Sequence, residues 1–311
     1  MNTVEFTPDL TTGTSEYVMS QRVLNSRSIR QPYELYSAEN QEAWRKLYSR
    51  MEPQWERFAT EVFMEGRHKL DLRTDAVPRL SDVNLRLAKL TGFRAEPVSG
   101  YIPALNFFDA LSRREFPTTI TVRPMSSLDY TSEPDIFHDV AGHVPMHTHP
   151  DFATVLRRFG ACAHTAAELC AGIPNHREAT RRVKSIVRGL ARAFWFTVEF
   201  GLMKSHDGLR AYGSGLLSSY GELQHALASP MVHRAPFQLE WALHTHIDYD
   251  RFQCLLFVID SFDQLFTEVE RLERWMKEGR LDNLTGGEPQ ISDMEAEPFL
   301  SAADLVLPHS A

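Results

Sequence analysis

The stretch that organises this chain is EPDIFHDVAGHVP, residues Glu133–Pro145. It holds two histidines five positions apart, His138 and His143, with carboxylates on both sides of the first. On a straight α-helix five residues turn about 500°, so the two rings would point roughly 140° apart. Because Gly142 and Pro145 both disfavour a regular helix, we expect the helix to unwind at Gly142 and His143 to turn toward His138. The stretch therefore predicts one ligand site shared by both rings.

A second stretch, FWFTVEFGL (Phe194–Leu202), places the single carboxylate of Glu199 in an apolar helical run. A charge there is costly unless it is paired or binds a metal. His138, His143 and Glu199 would together form the two-histidine, one-carboxylate set of non-haem Fe(II) enzymes that activate oxygen. Zinc hydrolases use the same ligand types, and Asp139 could imitate their general base. Spacing alone leaves open iron, zinc or no metal at all.

Composition limits the other possibilities. The chain has 311 residues, 43% of them hydrophobic, which is enough for one large core. The net charge is −8 and basic residues form no block, so we expect no nucleic-acid partner. Residues 1–31 lack the apolar run of a signal peptide, and no stretch approaches the roughly eighteen apolar residues of a membrane span. The cysteines Cys162, Cys170 and Cys254 lack paired spacing and fit reduced thiols of a cytoplasmic protein.

Hydrophobic periodicity predicts a mainly α protein with a few short β-strands and a single catalytic domain. We expect a flexible N-terminal arm over residues 1–36, the domain over 37–280, and a mostly irregular C-terminal tail over 281–311. Pro53 should interrupt the first long helix, and Gly66 should end the next one. Further expectations are a loop at Gly100–Phe108, a strand at Thr118–Arg123, and helices at Phe152–Cys170, Arg177–Lys204 and, capped by Ser261, up to Lys277.

Several ordered motifs together resemble the catalytic domain of the pterin-dependent aromatic amino acid hydroxylases. The motifs are TGFR (91–94), YTSEPD (130–135), the segment from His138 to Pro145, FWFTVEFGL (194–202) and AYGSGLLSSYGEL (211–223). The resemblance covers roughly residues 40 to 270 and is greatest to the short bacterial phenylalanine hydroxylases. It implies a fold for the domain and a chemical role for residues in these motifs.

By this resemblance the chain is a monooxygenase that uses Fe(II), a tetrahydropterin and molecular oxygen to hydroxylate the ring of an aromatic amino acid. Iron would be held by His138, His143 and Glu199. The resemblance places four residues at the pterin: Gly100, Ile102, Phe107 and Asp139. From sequence alone, Phe107 could equally be a core residue, and Asp139 could lie on a solvated helix face.

The resemblance also implies a substrate site. Arg123 would bind the substrate carboxylate, held in turn by Asp135, although a lone arginine at a strand end is more often a surface charge. The other residues that the resemblance implies on the substrate side are Thr131, Pro134, Trp195, Phe200, Gly215 and Ser218. Ser218 would also support the ring of His138, although by itself it could be a helix cap.

Departures from the family pattern bear on the substrate. Phe194 stands where phenylalanine hydroxylases usually have tyrosine, and Pro117 where they usually have histidine. The interval from His143 to Glu199 is unusually long, and the segment Thr245–Arg251 is atypical. A drier wall at Phe194 favours L-phenylalanine, hydroxylated at the para or the meta position. A tyrosine or tryptophan hydroxylase and a catalytically silent binding homologue remain alternatives, and the tail predicts a monomer or weak dimer.

Overall fold

The structure is a computed structural model that describes residues 6–24, 28–129 and 133–301. Thr131, one of the predicted substrate residues, lies outside the described residues. Helices dominate. The α-helices are α1 (Glu16–Val23), α2 (Ala38–Phe58), α3 (Glu61–Leu70), α4 (Leu80–Leu90), α5 (Ala104–Ser112), α6 (Val144–His147), α7 (Pro150–Ala171), α8 (His176–Phe194), α9 (Ser214–Leu217), α10 (Tyr220–Ala228), α11 (Leu239–His244), α12 (Phe262–Lys277) and α13 (Asp293–Ser301).

Two segments are π-helical, with the wider i→i+5 hydrogen-bond pattern. They are π1 (Phe137–His143), which runs directly into α6, and π2 (Trp195–Glu199), which continues α8. Short 3₁₀ turns lie at Tyr33–Leu35 and Met125–Ser127.

The strands are short and form two small sheets. They are β1 (Arg94–Val98), β2 (Glu115–Thr119), β3 (Leu202–Ser205), β4 (Gly208–Ala211), β5 (His233–Pro236) and β6 (Leu255–Ile259). Strands β1 and β2 pair in parallel, and α5 connects them. The other sheet has the order β4-β3-β6-β5, with only β3 and β4 antiparallel. The expected class, mainly helical with a few short strands in one catalytic domain, is confirmed.

The core forms around α7, which packs against α5, α8 and α12. Apolar side chains at helical spacing explain the elements: α2, for example, buries Trp44, Leu47, Met51 and Trp55 on one face. Ser37 and Asn40 close its first turn with a reciprocal capping box. Among the described residues, no helix combines the length and apolarity that crossing a membrane requires.

Two predicted helix breaks are wrong. Helix α2 runs through Pro53, whose side chain faces solvent, where water can bond the carbonyl that proline leaves free. Helix α3 continues past Gly66 to Leu70. A Cβ at Gly66 would lie 2.0 Å from the carbonyl oxygen of Pro145, so this glycine permits α3 and α6 to approach closely.

Three other boundaries also differ from the predictions. The expected loop at Gly100–Phe108 instead contains the start of α5, which follows Pro103. The expected strand at Thr118–Arg123 is β2, shifted to Glu115–Thr119. The long helix predicted to reach Lys204 ends with π2, because the chain turns at Gly201 into β3.

Both chain ends contain a helix that was not predicted. The described part of residues 1–36 contains α1, with Tyr17 and Val18 buried, and the backbone of Leu10 bonds Val122. These residues therefore pack against the domain, while the flexibility of the arm stays a prediction. In the tail after residue 280, α13 buries Ala296 and Phe299 against α5, α7 and α8. The sequence did not predict these helices, because they are short and rich in polar residues. Their few apolar side chains are buried by elements that lie far away in the chain.

Candidate active site

The segment π1 explains how two histidines five residues apart face the same point. In a π-helix each hydrogen bond joins residues five apart, which lie nearly above one another, so His138 and His143 lie close to one face. The predicted unwinding at Gly142 is wrong, because the helix widens there and then continues through Pro145 into α6. A Cβ at Gly142 would lie 3.0 Å from the Ser214 carbonyl, so the glycine admits α9.

Three potential ligand side chains converge between π1 and π2. The Nε2 atoms of His138 and His143 are 3.2 Å apart. The Glu199 carboxylate lies 3.1 Å from Nε2 of His143 and 3.7 Å from Nε2 of His138. These distances bring two imidazoles and one carboxylate to a single point, which is the donor set of a mononuclear metal site.

The surroundings fix the histidines in a state that suits metal binding. Nδ1 of His138 lies 2.8 Å from the Ser218 hydroxyl, which leaves Nε2 free to face the centre. Burial lowers the pKa of His138 to about 4, so this imidazole is neutral near pH 7. A neutral ring can offer its lone pair to a metal without first losing a proton.

Glu199 remains ionised despite burial. Burial raises the pKa of this carboxyl, but the electrostatic effect of the neighbouring His143 imidazole and its hydrogen bond, together with the effect of His138, lower this pKa to about 2. The Ser214 hydroxyl lies 3.1 Å from Oε2 of Glu199 and 2.7 Å from Nε2 of His143. Sequence analysis gave Ser214 no role, although it stands beside the predicted Gly215 in the same motif.

Asp139 is a second carboxylate close to both histidines, and potential ligand atoms of these three residues lie within 4.8 Å of one another. Its Oδ2 already accepts hydrogen bonds from the backbone nitrogen and hydroxyl of Thr119, at 2.7 and 2.6 Å. Burial raises the pKa of Asp139 to about 7, against the lowering effects of His143 and Thr119. Because Oδ2 of Asp139 already accepts two hydrogen bonds from Thr119, Glu199 is the better candidate for the carboxylate ligand.

A pocket of about 520 Å³ opens beside this centre. Most of its wall is apolar, and it is lined by most of the predicted cofactor and substrate residues: Gly100, Ile102, Phe107, Arg123, Pro134, His138, Asp139, His143, Trp195, Glu199, Phe200, Gly215 and Ser218. Phe107 lies on α5 and meets the ring of Phe194 edge to face at 5.5 Å. The histidine expected at the family position of Pro117 is replaced by a proline in the same wall.

Arg123 is buried in the pocket wall rather than exposed. Its Nε and Nη2 donate to the two carboxylate oxygens of Asp135 at 2.9 and 2.8 Å. Asp135 is fully buried and lies behind the guanidinium instead of lining the pocket. Among the described residues, the remaining nitrogen Nη1 makes one long contact of 3.4 Å, to the Leu128 carbonyl, which leaves N–H capacity for a ligand.

Trp195 and Phe200 stack, with ring centroids 4.5 Å apart, and form an aromatic wall at the end of π2. A Cβ at Gly215 would lie 2.8 Å from the Phe200 ring, so only glycine fits there without a shift. Tyr249, from the atypical segment Thr245–Arg251, meets the Trp195 ring edge to face at 5.1 Å.

The pocket also contains residues that sequence analysis left without a role. They include Glu222, Pro289, Ile291 and Glu295. Three of these residues, Pro289, Ile291 and Glu295, come from the segment after residue 280 that was predicted to be a mostly irregular tail. No local sequence pattern connects them to the motifs that contain the candidate ligands.

Comparison with known proteins fits this geometry. A family model for biopterin-dependent aromatic amino acid hydroxylases matches residues 24–279. The fold and the site define a non-haem metal monooxygenase, and the chain belongs to this hydroxylase family. It is therefore a pterin-dependent aromatic amino acid monooxygenase, as the sequence motifs predict.

Individual relatives refine the picture. The phenylalanine-4-hydroxylase of Chromobacterium violaceum is 39% identical over 259 residues, which are 83% of this chain and 82% of that protein. The rat tyrosine 3-monooxygenase is 33% identical, over 78% of this chain and 47% of that protein. A structure of the Chromobacterium enzyme with iron(III) and 7,8-dihydrobiopterin has a TM-score of 0.75 at 33% identity, covering 90% of this chain and 97% of that one.

Proposed function

We propose that this enzyme hydroxylates the ring of L-phenylalanine, at the para position, using iron, a tetrahydropterin and molecular oxygen. The convergence of His138, His143 and Glu199 beside an aromatic pocket carries the proposal. Phenylalanine is supported by the bacterial relatives named phenylalanine-4-hydroxylase, and by a Chromobacterium structure with iron and phenylalanine bound. Tyrosine is the alternative substrate, supported by the more distant tyrosine 3-monooxygenases.

Iron would be held by His138, His143 and Glu199, whose neutral imidazole and ionised carboxylate match its needs. When bound, iron and the tetrahydropterin together supply the electrons that activate molecular oxygen. Ser218 would keep Nε2 of His138 pointed at the metal through its contact with Nδ1.

The pterin would lie against the ring of Phe107, because a flat heteroaromatic gains most from an aromatic face. Backbone groups of Gly100 and Ile102 border the same side of the pocket and could bond the pterin edge. Asp139, held by Thr119, lies between this side and the metal ligands. The pKa of Asp139 near 7 would let its carboxyl either donate or accept a hydrogen bond there.

The substrate would place its carboxylate on Arg123, which Asp135 orients. Its ring would lie between Pro134 and the stacked pair Trp195 and Phe200, with Gly215 leaving room. Thr131 stays a predicted contact. The apolar side chain of Phe194 gives this region no hydroxyl to bond, which favours an unsubstituted ring.

Anaerobic loading with Fe(II) tests the metal part of the proposal. Wild-type protein should bind about one iron per chain, while His143→Ala and Glu199→Gln should lose it. Full iron occupancy in a His138→Ala, His143→Ala double variant would show that these histidines are not the iron ligands. The variant Phe107→Ala should weaken pterin binding by about 1–3 kcal/mol and leave the iron content unchanged.

Competition tests the substrate. Phenylalanine, tyrosine and tryptophan at equal concentration are supplied with tetrahydropterin and oxygen, and products are identified by mass spectrometry and NMR. We expect para-hydroxylated phenylalanine to dominate. Faster turnover of tyrosine or tryptophan, or a meta product, would overturn the substrate or ring assignment while leaving the iron assignment intact.

We further propose that the protein is a monomer or weak dimer in the cytoplasm. Support comes from the lack of a heptad pattern after Gly279, and from three cysteines that are unpaired in the structure. Light scattering at micromolar concentration checks the first point, and a stable tetramer would contradict it.

A further inference from the structure

The segment Gly286–Ser301, here termed the C-terminal strap, lies beyond residue 279, where the family match ends. It nevertheless forms part of the active-site wall, through Pro289, Ile291 and Glu295. Its helix α13 packs on α5, which carries Phe107, and on α7 and α8. This chain therefore completes its pocket with a segment that the family motifs do not describe.

The strap is anchored to α8, the helix that continues into π2 and Glu199. The guanidinium of Arg192 is fully buried and donates to the carbonyls of Glu288, Thr285 and Gly286 at 2.9, 3.0 and 3.0 Å. One turn earlier, Arg188 donates to the Pro289 carbonyl at 3.2 Å. The strap is thus held at its base by the same helix that presents a metal ligand.

At its far end the strap reaches the loop Gly100–Ile102. The Tyr101 hydroxyl donates to Oε1 of Glu295. The other oxygen, Oε2, accepts from the backbone nitrogen and hydroxyl of Ser292 at 3.0 and 3.1 Å, which fixes Glu295 in the first turn of α13. Although the Tyr101 ring is largely exposed, its hydroxyl must be the donor in this bond, because an ionised carboxylate can only accept.

The opposite side of the same loop is held from the other chain end. Nε of Arg22, at the end of α1, donates to the Ser99 carbonyl at 2.6 Å. The guanidinium of Arg22 also lies so close to Gly100 that a Cβ on this residue would clash with it. The loop is therefore fastened on one side by α1 and on the other by the strap. Its conformation does not depend on its own residues alone.

We propose that Glu295 is a positioning residue, which through Tyr101 holds the loop Gly100–Ile102 in the conformation that binds the pterin. This inference rests on the proposed function, because it takes the loop to be part of the pterin site. A loop held in its bound conformation saves the ordering cost that a free loop would meet on binding. Loss of the contact should therefore weaken pterin binding without changing the chemistry.

Anaerobic calorimetry on Fe(II)-loaded enzyme measures this directly, because without oxygen tetrahydropterin binds and does not react. In Tyr101→Phe and in Glu295→Gln we expect a three- to tenfold rise in the pterin Kd. The double variant should be no weaker than the single ones, because both remove the same contact. The KM for pterin should rise in parallel, while kcat, the KM for the amino acid and Tm stay close to wild type.

The control is Asp293→Asn, on the same helix, whose exposed carboxylate pairs with Lys184 away from the pocket. It should leave the pterin Kd unchanged. Unchanged Kd in both single variants, additive losses in the double variant, or an equal rise in the KM for the amino acid would each overturn the inference. Absence of pterin binding by wild-type enzyme would instead overturn the proposed function, so the two failures are distinguishable.

Discussion

Two buried arginines, Arg123 in the pocket wall and Arg192 at the base of the strap, solve the same electrostatic problem differently. Arg123 faces the charge of Asp135 through two hydrogen bonds, and within the described residues its third nitrogen makes only one long contact. Arg192 has no carboxylate partner in the described part of the chain, and four carbonyl oxygens surround it instead, including that of Leu243 at 2.9 Å. Within the described residues the first guanidinium keeps N–H groups for a ligand, while four of the five N–H groups of the second are already bonded.

The pKa values follow this difference. Burial alone would lower the pKa of Arg123, but the charge of Asp135 raises it above its usual value. Burial lowers the pKa of Arg192 to about 10, because carbonyl dipoles compensate less than a full charge does. A buried arginine is therefore not in itself a sign of a binding site. Spare donor capacity toward a cavity marks the one that can recognise a substrate.

The largest effect is expected from Arg192→Met, which should destabilise the fold by about 3–5 kcal/mol because several buried carbonyls lose their donor. Denaturant unfolding measures this loss. Arg188→Met is the matched control, since Arg188 is half-buried on the same helix and makes one bond to the strap. A similar small loss in both variants would contradict the structural role of Arg192.

Breaking the other pair comes next. Asp135→Asn should cost about 3 kcal/mol of unfolding free energy, because it leaves the buried charge of Arg123 without a counterion. The KM for the amino acid should also rise, because the guanidinium is no longer fixed in orientation. Normal stability with normal KM would show that Asp135 neither balances nor orients Arg123.

Arg123→Lys separates recognition from stability. Lysine keeps a charge beside Asp135 but lacks the additional guanidinium N–H groups that can bind a substrate carboxylate, so the transition-state stabilisation measured by kcat/KM for the amino acid should fall by about 2–3 kcal/mol. The KM for pterin should change much less. Steady-state kinetics with each substrate varied in turn checks this, and an equal loss for pterin would place Arg123 elsewhere in the mechanism.

Glu222 is a third charged residue whose surroundings shift its pKa, and its substitution should have the smallest effect of those considered. Its carboxylate lines the pocket and makes no hydrogen bond or ion pair within the described residues, and burial raises its pKa to about 7, above the usual 4.5. A raised carboxyl pKa favours the folded state at low pH, and this advantage is lost as pH rises from about 4.5 through 7.

Glu222→Gln should therefore stabilise the protein at pH 8, by on the order of 1 kcal/mol, and have little effect at pH 5. Thermal unfolding at both pH values measures the difference. Equal Tm changes at the two pH values would show that this carboxyl does not titrate in the folded protein near neutrality.

The amount that sequence could predict depends on how local the determining interactions are. Helix α12 begins after Ser261 and ends at Lys277 as its capping pattern predicts, because a cap acts within one turn. Pro53 and Gly66 were misjudged because solvent exposure and the approach of a distant helix outweigh their local preferences. Helices α1 and α13 were not predicted for the same reason.

The sequence by itself determined the family, the mainly helical class and the identities of His138, His143 and Glu199 as candidate ligands, since these depend on residue type and order. Only the tertiary structure decided that π-helical segments bring these ligands together, that Arg123 is buried against Asp135, and that the strap completes the pocket. Each of these needs contacts between residues far apart in the chain. Burial, and with it every pKa shift in the site, is a property of the packed fold.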